Sequence, residues 1–258
     1  MRLFLNYLSL HLKIALEYKS SFIMTLISQI IAMMVELFTV YSLFNKFQLL
    51  DEYNIYELLL GFSCLWLGYS LSELFARGFD HFDRLIINGN FDMLLIRPTS
   101  LFTQILGSDI AYEKSGRVVI AFIIFIYSAI KVINHVTFLK ILLLIFMVFG
   151  CLLTIVSIFI IGASFSFVTI QGLEVVNIFT NGTRQVGQYP MGIYKKAVRL
   201  FFTIVIPITL INYYPMYYLT GKTNNIMYVF MPLFTIILFI ISKKIFNKGL
   251  NKYCSSGS

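Results

Sequence analysis

Glu36 is the residue whose type and position most clearly suggest chemistry, because it is a carboxylate inside an otherwise apolar run. An ionised side chain in the hydrocarbon of a bilayer costs about 2.5–3.5 kcal/mol even on lenient insertion scales. Glu36 is therefore expected to face the protein interior, a cavity or a partner. It could line or gate a translocation path, form a structural hydrogen bond, or lie near the outer interface. The same roles are open for Glu174. The free-energy cost of its charge is expected to be lower, because polar residues surround it in the sequence.

Other residue types that carry enzyme chemistry do not come together in the sequence. The stretch Gly221-Lys222-Thr223 ends like a phosphate-binding loop, but Met216 occupies the position of the first glycine. Three histidines are scattered along the chain, and three cysteines show no paired spacing. Neither a metal site nor a Cys–His pair is therefore predicted. The chain is expected to hold no active site and no cofactor of its own.

The composition predicts the class of structure that positions these residues. Hydrophobic residues make up 59% of the 258 residues and charged residues 12%, against roughly 45–50% and about 25% in soluble domains. The apolar residues occur in runs that approach the roughly 20 residues needed to span a bilayer. An all-α polytopic membrane protein with six transmembrane helices is therefore predicted.

The chain begins with a segment that is amphipathic rather than spanning. Its polar residues recur every three or four positions, which predicts a helix lying in the membrane interface. The predicted segments are 1–20 (interfacial amphipathic helix), 21–75 (helices one and two), 76–104 (cytosolic loop), 105–169 (helices three and four), 170–199 (cytosolic or interfacial re-entry segment), 200–247 (helices five and six) and 248–258 (cytosolic tail).

Lysine and arginine residues are distributed unequally between the predicted loops. With the N-terminus inside, sixteen of the twenty fall in inner segments and four fall outside. The positive-inside rule therefore favours cytoplasmic N- and C-termini. The net charge of +8 is explained by this topology, so no nucleic-acid partner is predicted. The four outer residues are Lys46, Lys131, Lys140 and Lys222, and the inner set includes Arg184, Lys195, Lys196 and Arg199.

The inner segment from Arg77 to Ser100 mixes bulky apolar residues with charges. It contains the pairs Phe79-Asp80, Phe82-Asp83 and Phe91-Asp92. Such a segment is too charged for lipid and too apolar for a plain solvated connector. A short amphipathic helix ending at Asn88-Gly89 would satisfy both demands. Its apolar face could dock a cytosolic partner, or it could rest on the membrane surface.

Predicted helix five, Leu200–Leu219, carries Pro207 and Pro215. Each proline removes a backbone hydrogen bond and bends the helix, which membranes tolerate where neighbours satisfy the freed carbonyls. Such a helix could open and close at a dimer interface, or it could be bent only for packing.

Two patches of the sequence resemble a known family. The run Gly89-Asn90-Phe91-Asp92-Met93-Leu94-Leu95-Ile96-Arg97-Pro98, followed by Gln104, resembles the G-x-F-D-x-x-L-x-R-P signature of ABC-2 type permeases. More narrowly, it is similar to the branch described as an uncharacterised ABC transport system, permease component. Tyr189-Pro190, Pro207 and Asn212-Tyr213-Tyr214-Pro215 resemble the fifth-helix region of that branch.

The resemblance implies a type V exporter-like transmembrane subunit in the plasma membrane of a prokaryote. It would pair with a second permease subunit and with a cytosolic ATPase dimer that binds ATP and Mg. The absence of a large outer domain favours a small amphipathic cargo such as a drug, peptide or lipid. The loop after helix two would be the coupling helix, with Gly89, Phe91, Asp92, Leu95, Arg97 and Pro98 as coupling residues and Asp83 beside them. The candidate path or gating residues are Pro207 and Pro215, with Glu36 and Glu174 added from their charge.

Two other classes of protein stay open on the residues alone. A secondary transporter driven by an ion gradient should show repeated halves and ionisable groups at the midplane, and Glu36 is the one candidate. A membrane enzyme or assembly scaffold should cluster catalytic side chains or metal ligands at one interface. No such cluster appears in the sequence.

Overall fold

The structure is a computed structural model that describes residues 2–47, 53–133, 135–169 and 172–253. Within these ranges the chain forms helices and turns without a β-sheet, so the predicted all-α class is confirmed. The α-helices are α1 (Arg2–Glu17), α2 (Lys19–Phe47), α3 (Ile55–Asp80), α4 (Phe82–Ile87), α5 (Asn90–Leu95), α6 (Leu101–Ser108), α7 (Ser115–Val132), α8 (Phe138–Phe165), α9 (Gly172–Gly187), α10 (Lys196–Ile204), α11 (Tyr214–Leu219), α12 (Met227–Phe230) and α13 (Thr235–Leu250).

Five stretches of the described chain are helical, long and apolar enough to cross a membrane. A sixth candidate is the pair of segments Lys196–Ile204 and Thr209–Leu219, which meet at an angle of 89°. The last stretch extends to Leu250, so its lysines continue the helix rather than forming a separate tail. The five stretches are Lys19–Lys46, Ile55–Phe75, Tyr112–Val132, Phe138–Phe165 and Met227–Leu250.

Helices α3 and α8 form the centre of the molecule. In Ile55–Phe75, 78% of the most apolar stretch is buried, against 11% in Lys19–Lys46. Large side chains that are fully buried, such as Trp66 and Ile155, belong to one core cluster that joins α3 to α8. Helix α2 therefore presents most of its apolar surface outward, to lipid or to another protein.

Helix α1 is attached to the rest of the protein by one face. His11 Nε2 lies 3.0 Å from the Gly107 carbonyl oxygen, and the Tyr112 hydroxyl donates to the Leu8 carbonyl oxygen at 3.0 Å. The predicted polar positions, such as Ser9 and Lys13, are exposed on another face. The helix is observed, and its amphipathic role and its place in the membrane interface stay predictions.

Predicted helix five is interrupted rather than simply bent. Helix α10 ends at Ile204, and a π-helical turn, Thr209–Tyr213, leads into α11. Buried Pro207 lies in the break, and Pro215 lies in the first turn of α11. A proline has no N–H to continue a helix, but it is tolerated in a first turn. The two prolines therefore have different roles: one lies in the break, and the other starts a helix.

Candidate functional site

The predicted coupling segment forms a tight helical hairpin at the end of α3. Helix α4 ends one residue before Asn88, and Gly89 adopts φ 68° before α5 begins. This left-handed conformation suits glycine, which has no Cβ to clash with the backbone. The predicted end of the helix at Asn88-Gly89 therefore agrees with the structure. Gly78 is needed for close packing, because a Cβ there would meet the Ile105 carbonyl oxygen.

Aromatic rings hold this hairpin against α13 and against the turn that follows α8. Phe91 has no exposed surface, and its ring lies 4.9 Å from Tyr253 and 5.0 Å from Phe82. Phe82 in turn packs edge-on against Phe167 at 5.2 Å and Phe246 at 5.5 Å. We call these five residues the aromatic cluster. Because Phe91 is buried within it, its ring anchors the hairpin and does not face a partner.

Three side-chain hydrogen bonds also hold the hairpin. The Tyr253 hydroxyl donates to Asp92 Oδ1 at 3.0 Å. The Gln104 side-chain amide donates to the carbonyl oxygens of Leu94 and Thr99, both at 3.2 Å. Asp92 and Gln104, both part of the family-like run, therefore fix the fold of the loop.

The outer side of the hairpin exposes apolar side chains. Their exposed fractions are 58% for Ile87, 51% for Met93, 44% for Leu95 and 83% for Ile96. We call these four residues the apolar tip. Arg97 and Pro98 are exposed immediately beyond it, whereas Asp83 is half-buried with its Oδ1 in no hydrogen bond. The predicted coupling residues thus divide into two sets, an outward set (Leu95, Arg97 and Pro98) and an inward set (Asp83, Phe91 and Asp92).

A charged cluster links the end of α3 to the start of α7. Arg77 Nη1 contacts Glu113 Oε1 at 2.9 Å, and His81 Nδ1 lies 2.8 Å from Asp109 Oδ2. Partial burial opposes ionisation of Asp109, but the hydrogen bond with His81 and the charges of His81 and Arg77 outweigh it. The pKa of the Asp109 carboxyl is therefore lowered. These charged contacts hold the segment before α7 to the end of α3.

Glu73 is a buried carboxylate that the sequence reasoning missed. Its oxygens contact Lys114 Nζ at 3.2 Å and Arg117 Nη1 at 3.0 Å. Side-chain exposure is between 11% and 15% for all three residues. Glu73 lies at the end of a predicted span, where a charge draws little notice. The sequence feature that could have indicated an acidic partner is the pair Lys114 and Arg117. These cations are three residues apart and therefore share one side of a helix.

Glu36 has two partners on the segment around the end of α9. Arg184 Nη1 donates to Glu36 Oε1 at 3.1 Å, and Gln188 Nε2 donates to Oε2 at 2.6 Å. The Arg184 guanidinium also lies 5.3 Å from the Trp66 ring and 5.8 Å from the Tyr69 ring. Both carboxylate oxygens are thus satisfied, which a charge within an apolar span requires. These contacts match the predicted structural hydrogen bond, while a role in the path stays a prediction.

The hydrogen bonds of Glu36 do not involve Pro207 or Pro215, two of the other predicted path residues. Glu174 lies in the first turn of α9, and its side chain is outside the described residues. Pro207 and Pro215 are buried in the α10–α11 region. Between them, the Asn212 side-chain amide donates to the Gly61 carbonyl oxygen at 3.1 Å. The prolines therefore shape the α10–α11 region, which the Asn212 hydrogen bond attaches to α3.

The segment predicted as a cytosolic or interfacial re-entry segment, 170–199, contains α9 and the start of α10. Gly187, at the end of α9, lies against Leu65 in the middle of α3. Lys196 and Arg199 line a cleft together with Thr223, next to the turn that carries Lys222. Charge counting placed these cations and Lys222 on opposite sides of the membrane. Arg184, which was counted with the inner cations, is paired with Glu36.

The described residues provide no evident catalytic constellation. No group of three or more His, Cys, Asp or Glu side chains within the described ranges could hold a metal ion. The largest charge clusters are ion pairs between helices. The apolar spans and the paired charges between them define a multi-pass membrane protein built from packed helices.

Comparison with known proteins gives the family. A family model described as "ABC-2 family transporter protein" matches residues 30–257. The chain therefore belongs to the ABC-2 family of transporter membrane proteins, and the predicted resemblance is confirmed. Neither the curated proteins nor the solved structures include a match.

Proposed function

We propose that this chain is the permease subunit of an ATP-binding-cassette exporter, driven by a separate cytosolic ATPase dimer that binds ATP and Mg. The family match supports an ABC permease. The observation that supports docking of a separate ATPase is the apolar tip. In it, Met93 and Ile96 are 51% and 83% exposed on a hairpin with a fixed base. A soluble partner that covers the tip would remove this apolar surface from water.

The hairpin is built to transmit displacement. Phe82 and Phe91 are fully buried, and their rings pack against Phe167, just after α8, and Phe246 in α13. Close-packed interiors transmit strain instead of absorbing it. A push on the apolar tip would therefore move the inner ends of α8 and α13, and also α3, whose end leads directly into α4. Leu95, Arg97 and Pro98 would contact the ATPase, while Gly89, Phe91, Asp92 and Asp83 would hold the geometry.

The proposed topology has six crossings and cytoplasmic termini, in the plasma membrane of a prokaryote. In this arrangement α9, α10 and α11 together form the fifth crossing. Removing Arg184, Lys195, Lys196 and Arg199 from the sixteen inner cations leaves twelve inside, against at most eight outside. Lys and Arg residues therefore remain more numerous on the cytoplasmic side than outside. Irregular backbone at membrane depth is tolerated where protein buries it, as it does at Gly187 and Pro207.

A second permease subunit, identical or a sister chain, would complete the transport path. The outward faces of α2 and α7 offer the surface, since 11% and 17% of their apolar stretches are buried. Membrane lipids would cover the rest. A small amphipathic cargo fits a chain whose described part has no large outer domain.

Co-purification from native membranes in mild detergent tests this proposal. The wild-type chain should bring down an ATPase with Walker motifs, and the double variant Met93→Asp/Ile96→Asp should lose it. The matched control is Val136→Asp/Phe138→Asp, because these residues are 73% and 76% exposed in the turn between α7 and α8. An ATPase retained by the tip variant would refute the docking surface. A chain that purifies alone and transports with an ion gradient would favour a secondary transporter.

A further inference from the structure

An open cleft of about 500 Å³ lies between α10 and the turn that follows α11. Two cations from one side of α10, Lys196 and Arg199, form part of its wall. Facing them are the side chains of four tyrosines. The lining residues are Lys196, Arg199, Leu200, Thr203, Tyr213, Tyr214, Tyr217, Thr223 and Tyr228.

The cations of this cleft are not neutralised by the described part of the chain. Neither Lys196 nor Arg199 forms an ion pair there, and no described carboxylate lines the cleft. This differs from Arg117 and Arg184, each of which has a glutamate partner. Adjacent uncompensated cations in a concave wall favour an anion. An arginine with a neighbouring lysine suits a phosphate group, which accepts several charge-assisted hydrogen bonds.

The tyrosines offer hydroxyl donors and flat apolar surface. The hydroxyls of Tyr213 and Tyr217 lie 2.9 Å apart, and the rings of Tyr214 and Tyr228 are 5.6 Å apart. A tyrosine presents an apolar body and a polar tip. Such a wall can contact both the polar group of a ligand and the carbon chain attached to it.

Apolar side chains continue from the cleft along the outside of α10. Leu200 lines the cleft and is 56% exposed, while Ile204 and Val205 beyond it are 71% and 49% exposed. A free inorganic anion would gain nothing from these residues. An amphiphile with an anionic head would place its head among the cations and its chain along this row.

We propose that this cleft binds the phosphate headgroup of an anionic, lipid-like amphiphile. That the ligand is cargo rests on the proposed permease function. Binding itself does not, because it needs only this chain and can be measured without the ATPase. Failure of the cleft proposal and failure of the permease proposal are therefore distinguishable.

Native mass spectrometry of the full chain, purified in a neutral detergent, tests the proposal. The probes are phosphatidylglycerol, phosphatidylcholine with the same acyl chains, and inorganic phosphate. Phosphatidylglycerol should form a one-to-one adduct with the protein. This adduct should appear at a lower lipid concentration than the phosphatidylcholine adduct. Lys196→Gln/Arg199→Gln should weaken it about tenfold or more, since charged hydrogen bonds are lost. Lys244→Gln/Lys248→Gln, which changes exposed cations on α13, should leave it unchanged.

A second variant separates binding from folding. Tyr214→Phe keeps the ring and removes one hydroxyl, so it should weaken the adduct less than loss of the two charges. Three results would overturn the proposal: an unchanged adduct in the cation variant, equal binding of phosphatidylcholine, and competition by inorganic phosphate at equal concentration. The last would show a site for free phosphate instead of an amphiphile.

Discussion

The pair formed by Glu36 and Arg184 should stabilise the fold only as a pair. Arg184→Met leaves a carboxylate that is 22% exposed with Gln188 as its remaining partner. Breaking a fully buried pair costs about 3–5 kcal/mol. Because both residues keep some solvent contact, we expect about 2 kcal/mol, including the loss of the cation–π contact with Trp66. Glu36→Leu should cost a similar amount, because it leaves the guanidinium unpaired.

The double variant Glu36→Leu/Arg184→Met distinguishes pairing from simple loss of contacts. It leaves neither charge unpaired, so at least half of the single-variant cost should be recovered. The assay is the apparent melting temperature in detergent, where each single variant should fall by about 4–8 °C. Lys13→Met/Glu17→Leu is the control, because both residues are exposed on α1. Additive losses in the double variant would refute the reasoning, since unpaired charge would then not be the cause.

Three further variants test the hairpin and its anchor. Phe91→Ala should lower stability by about 3–5 kcal/mol through the cavity left in the aromatic cluster, and an unchanged melting temperature would contradict its burial. Gly78→Ala should lower the yield of folded protein in size-exclusion chromatography, because its Cβ meets the Ile105 carbonyl. The lowered pKa of Asp109 means that its ionised form stabilises the fold above about pH 4 and that this contribution is lost as pH falls through the lowered value. Asp109→Asn should therefore melt below wild type at pH 7, and this difference should shrink as pH falls below about 4, while a constant difference would exclude the ionised carboxylate as the cause.

The sequence predicted the parts of the fold that depend on local composition. Long apolar runs predicted the spans, since a bilayer requires them whatever the tertiary contacts. Gly89 and the Phe-Asp pairs predicted a short helical element after α3. The family-like run around Phe91 pointed to the correct family.

The parts of the fold and of the candidate site that the sequence did not predict depend on contacts between residues far apart in the chain. The partners of Glu36 are 148 and 152 residues away, so no local pattern identifies them. The same holds for the course of α9, because a neutralised Arg184 looks the same in sequence as a solvated one. Phe91 was expected to serve coupling, but whether its ring faces a partner or the core is decided by packing against Phe82 and Tyr253.

The most direct test of the central claim is site-specific photo-crosslinking in native membranes. A photoreactive amino acid replaces Ile96 in the apolar tip or, as the control, Val136 in the turn between α7 and α8. We predict that position 96 captures an ATPase with Walker motifs and that position 136 does not. Capture of lipid alone at position 96, with the ATPase absent or crosslinked at position 136, would contradict it.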